Sequence, residues 1–126
     1  MLYNMQRGSI VEMSFDDAVQ NEAGRLERVY ARLSRNGLTA NELFTFILLC
    51  GDGLGKVVEA YQDVPREERE SAVVMAGTAL YFKYDPDIPL LPNFIEPLVE
   101  RELVPVLVRV AYRFFLHKQA TLAENA

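Results

Sequence analysis

The residues that could do chemistry fall into four groups, and the first is the stretch Cys50-Gly51-Asp52-Gly53-Leu54-Gly55-Lys56. A phosphate-cradling loop needs glycines that let backbone amides approach, followed by a lysine and a hydroxyl. Here Cys50 stands where the first glycine of such a loop belongs, and Val57 where its Ser or Thr belongs. The dinucleotide fingerprint fails too, since its third glycine would fall one place after Gly55. The stretch therefore reads as punctuation, with Gly51 ending one helix and Asp52 capping the next.

The second group is a basic ridge. Arg101, Pro105, Arg109, Arg113 and His117 recur every fourth residue, which on a helix makes one slanted row. The ridge can hold an anionic ligand or an acidic partner, or it can pair with Glu100, Glu102 and the acidic middle of the chain. His117 has no Ser or Asp at a spacing that would make it a catalytic base. The third group, Asp85, Asp87, Glu96 and Glu100, lacks both the calcium-loop spacing and the Glu-x-x-His pair of a di-metal bundle. Turn formation and helix-end electrostatics account for these carboxylates. The fourth is Cys50, a lone cysteine among apolar neighbours with no adjacent base, which reads as a buried inert thiol. No catalytic residue, metal ligand or cofactor is expected, and the chain reads as a non-enzyme.

These groups sit in a chain of 126 residues, half of them apolar, enough for one domain with its own core. The net charge of −5 is unevenly placed. Residues 1–37 balance, residues 38–97 carry four basic against ten acidic side chains, and residues 98–126 carry four against three. An acidic chain repels phosphate backbones, so nucleic acid is disfavoured as a partner. One cysteine leaves no internal disulfide and no Cys-based zinc cluster. With no signal-peptide pattern, a cytoplasmic setting is expected. The apolar runs fall short of the roughly 18 residues of a membrane span.

The elements that must position these residues are helical. Residues 1–13 read as an N-terminal arm, residues 14–118 as the helical domain and residues 119–126 as a frayed C-terminal tail. Ser14 with Asp17 opens helix one, whose apolar residues from Phe15 to Leu33 recur at helical spacing, and Asn36-Gly37 stops it. Thr39 and Glu42 form a capping box before an almost wholly apolar helix to Cys50, followed by a short second piece through Tyr61. Val64-Pro65 starts the third helix, which Asp85-Pro86 stops. After a proline-rich corner, Asn93 caps a last helix that continues to about Leu116 and is kinked by Pro105. The expected fold is thus all-α, a single-domain bundle of four to five helices with a proline-rich corner before a kinked C-terminal helix.

Ala79-Leu80-Tyr81-Phe82 followed by Asp87-Ile88-Pro89-Leu90-Leu91-Pro92-Asn93-Phe94-Ile95 resembles small bacterial proteins of unknown function in which a helix ends in an Asp-x-Ile-Pro-Asp turn. The Gly and paired Asp expected just after that stretch are replaced here by Glu96-Pro97-Leu98, and the resemblance implies no function.

The functional expectation follows from high apolar content without a catalytic set. It is a helical protein–protein interaction or assembly protein that self-associates as a homo-oligomer. The adjacent Phe114 and Phe115 point about 100° apart on a helix, so one of them is free to serve a surface. The alternatives are a small regulatory module, of phage or bacterial accessory type, binding an anion or acidic partner through Arg101, Arg109, Arg113 and His117, and peripheral membrane contact through the C-terminal helix.

Overall fold

A computed structural model of the chain describes residues 13–33, 35, 40–84 and 96–124. These form four helices and no strand: α1 (Phe15–Leu33), α2 (Ala40–Glu59), α3 (Arg66–Tyr84) and α4 (Glu96–Glu124). The all-α expectation holds, with four helices rather than five among the described residues. The arm through residue 12, the Asn36-Gly37 stop, Thr39 of the capping box and the corner at 85–95 lie outside the described residues.

Helix α1 begins as its sequence dictates. The Asp17 amide donates to the Ser14 hydroxyl (3.2 Å) and the Ala18 amide to the Ser14 carbonyl (2.9 Å), while Asp16 and Asp17 meet the positive end of the helix. Its buried face is Ala18, Val19, Leu26 and Tyr30.

Helix α2 corrects the reading of the glycine stretch. It runs unbroken through Gly51, Gly53 and Gly55, so Gly51 is no stop, Asp52 is no cap and the short second piece is the end of α2 itself. Three interior glycines each cost about 1 kcal/mol against alanine. Packing offsets that cost: a Cβ at Gly51 would lie 2.6 Å from the Ala111 carbonyl carbon, and one at Gly55 would lie 2.7 Å from the Phe115 ring. Gly51 and Gly55 are spaces for α4, and Gly53 lies under the Glu22 and Arg25 side chains of α1, which local sequence cannot announce.

Pro65 stands one place before α3, where its carbonyl accepts the Arg69 amide (3.0 Å). Helix α4 takes Pro97 in its first turn, passes Pro105 as one helix and reaches Glu124 rather than Leu116. No Gly or Pro in its last turns breaks it, and the Thr121 hydroxyl donates back to the His117 carbonyl (3.0 Å).

Contacts fix the helix directions. Phe15 meets Tyr61 and Tyr30 meets Phe46, with ring centroids 5.5 and 5.0 Å apart, so α1 and α2 are antiparallel. Gly51 lies beside Ala111 and Gly55 beside Phe115, so α2 and α4 are parallel. Gly77 lies against Val108 while Glu70 meets Arg113, so α3 and α4 are antiparallel, leaving α1 parallel to α3. Helices α1 and α4 occupy opposite corners and do not touch among the described residues. The bundle therefore has two parallel pairs on opposite edges, α2/α4 and α1/α3. Tyr81, Tyr112, Phe46, Leu26, Leu54, Val58, Val73 and Val108 fill the centre. Truncating one of its large apolar side chains to alanine costs about 2–5 kcal/mol.

Candidate interaction surface

Helix α4 is apolar on two sides. Val104, Val108, Ala111, Tyr112 and Phe115 enter the core. Leu103, Val106, Val110 and Phe114 fall within an arc of about 80° on the outside, and Val110 and Phe114 remain 57% and 51% exposed. Of the adjacent phenylalanines, then, Phe115 is buried at 4% exposure over Gly55, and Phe114 faces solvent.

Helix α2, packed parallel to α4, also shows apolar residues to solvent. Phe44 and Leu48, one turn apart, are about half exposed. The six side chains together expose apolar surface on the order of 500 Å², the range in which exposed apolar surface on a monomer is often functional. Toward the C-terminal end of α2 the patch gives way to a cavity of about 480 Å³ lined by charged residues of α1, α2 and α4, including Glu22, Arg25, Asp52, Lys56 and Lys118. Lys118 Nζ lies 3.4 Å from Asp52 and 5.2 Å from the centre of the Phe114 ring.

The basic ridge divides. Arg113 donates twice to Glu70 (2.9 and 3.1 Å) and Arg109 Nε lies 3.4 Å from the same carboxylate, so one α3 acid gathers two ridge cations. The Arg113 hydrogen bonds, with Arg109 and Arg66 adding to them, hold the Glu70 carboxyl below the usual carboxylate range. Arg101 lies 3.9 Å from its neighbour Glu102, both well exposed, and His117 is exposed beside the apolar patch. The structure thus brings Arg109 and Arg113 together and leaves Arg101 and His117 at the two ends.

A polar cluster inside the bundle carries no counterpart in the sequence reading. The Tyr112 hydroxyl donates to the Glu59 carboxylate (2.8 Å), and Arg69, only 8% exposed, places Nε 3.6 Å from that carboxylate. Arg69 Nε and Nη1 are buried without a hydrogen-bond partner. Burial, then the bond to Glu59, raises the Tyr112 phenol above its ordinary range. The cluster ties the end of α2, the start of α3 and the middle of α4 at one point. Cys50 is buried, and desolvation pushes its thiol up to about 12, which leaves no thiolate for chemistry near neutral pH.

Among the described residues no three His, Cys, Asp or Glu side chains converge as metal ligands, and no helix is long and apolar enough to cross a membrane. The outer residues Phe44, Leu48, Leu103, Val106 and Val110 were not singled out from sequence, although the spacing Val106, Val110, Phe114 carried the signal. The chain matches no protein-family model, no curated protein and no solved structure.

Proposed function

We propose that this is a non-enzymatic helical assembly protein that binds copies of itself through the outer face of α2 and α4. The single observation that carries the reading is the apolar stripe of Leu103, Val106, Val110 and Phe114 left exposed on α4, with Phe44 and Leu48 exposed on the neighbouring α2. Solvating such a patch is unfavourable, and covering it is the gain that drives association. With a polar rim its two sides reach about 1,000 Å², the lower bound for a specific interface. The basic-ridge reading has less support, because Arg109 and Arg113 already share Glu70. A net charge of −5 also works against an anionic membrane surface.

The test is molar mass by light scattering across a concentration series. The wild-type chain is expected to exceed the monomer mass as concentration rises, and the double variant Val110→Asp with Phe114→Asp to stay monomeric with unchanged helicity. A wild-type monomer at every concentration would contradict the reading.

A further inference from the structure

The edge of the bundle opposite the patch has the complementary shape. Along the α1/α3 seam lie a cavity of about 490 Å³, walled by Phe15, Val19, Ala72, Met75 and Ala76, and a second of about 190 Å³ that continues it toward Glu27 and Lys83. Met75 stands at its lip, 68% exposed. Alanines at 72, 76 and 79 leave room where larger side chains would close the seam.

Resting on the proposed self-association, we infer that the α1/α3 seam receives the α4 stripe of a second copy, so that the copies join head to tail. Three observations choose this occupant. The stripe from Leu103 to Phe114 spans about 16 Å of helix rise, and the seam from Phe15 to Glu27 about 18 Å. The rim at the N-terminal end of the seam is acidic, with Asp16 and Glu68, while the C-terminal end of the stripe carries His117 and Lys118, the latter shared with Asp52 of its own chain. Matching those ends lays α4 of the incoming copy antiparallel to α1 and α3, which also sets the negative end of its helix dipole beside the positive ends of theirs. Two-fold pairing of stripe on stripe would instead leave the seam open and set the Arg109–Arg113 flank against its own copy.

Stripe and seam lie on opposite edges, so a dimer leaves one of each unused and growth continues into a ring or an open chain. Complementation tests this. Val110→Asp with Phe114→Asp disables the stripe, and Met75→Asp with Ala79→Asp, both at exposed positions, disables the seam. Each variant alone is expected to be monomeric with wild-type helicity by circular dichroism. Their equimolar mixture is expected to double the mass to a one-to-one dimer and stop there, because the intact stripe of one enters the intact seam of the other. A seam variant that associates as the wild type does would overturn the head-to-tail arrangement while leaving self-association standing, and so would a mixture that stays monomeric while the wild type associates. A monomeric wild type would overturn both.

Discussion

Where α2 meets α4, the absence of side chains at Gly51 and Gly55 brings the backbones together, and Phe115 fills the space over Gly55. Where α1 meets α3, Ala72 and Ala76 are small as well, yet the seam stays open. The difference lies in what stands opposite. On the α2/α4 edge the Ala111 backbone closes on Gly51 and the Phe115 ring on Gly55, whereas on the α1/α3 edge Met75 turns out to solvent. One end of that edge is spanned instead by a polar contact, with Lys83 Nζ 2.7 Å from Glu27. Small residues close a helix pair only when a neighbour fills the space they leave. The closed pair carries the outer apolar stripe, and the open pair leaves a groove.

The largest effect should come from wedging the closed pair apart. Gly51→Val places atoms on the Ala111 backbone, which cannot yield as a side-chain tip can, and is expected to cost about 3 kcal/mol or more in urea unfolding. Tyr112→Phe follows at about 1–3 kcal/mol, because Glu59 loses its donor in a partly buried setting. If it proves neutral, the polar cluster does not help hold α2, α3 and α4 in place. Changes in open space should be mild: nothing lies near a Cβ added at Gly24, so Gly24→Ala should gain up to about 1 kcal/mol. Ala76→Leu, filling the seam, should shift stability by about 1 kcal/mol at most. A seam as intolerant as Gly51 would erase the contrast between the two edges.

The smallest effect is a pH dependence at the α3/α4 contact. The folded carboxyl of Glu70 is held low by Arg113 and Arg109, so the stability it lends is full above its unfolded value of about 4.3 and fades as the pH falls through the lower folded value. Between about pH 6 and about pH 3 the wild type should lose more stability than Glu70→Gln does. Equal losses would show that the Arg109 and Arg113 contacts contribute nothing.

The all-α architecture was legible because α1 and α3 carry their own start signals, and Ser14 and Pro65 are read without tertiary knowledge. The Gly51–Gly55 run was misread because glycine in a helix and glycine after a helix look alike locally. Only Ala111 and Phe115, some sixty residues on, decide between them. Phe114 and Phe115 were legible as a divided pair, since helical geometry forces adjacent side chains apart. The rest of the patch was hidden by its own chemistry: a helix apolar on two sides shows little amphipathic bias, and Val106 looks like Val108 until packing assigns one to the core. Glu70 was lost among its neighbours Glu67 and Glu68, with nothing local to pair it with Arg113.

The central claim, association through the outer stripe of α4, is tested most directly by amide chemical shifts recorded on dilution. The account predicts concentration-dependent shifts along Leu103–Phe114 and at Phe44 and Leu48, with a second set at Val19, Met75 and Ala76 across the bundle. Spectra that do not change with concentration, or changes confined to other surfaces, would contradict it.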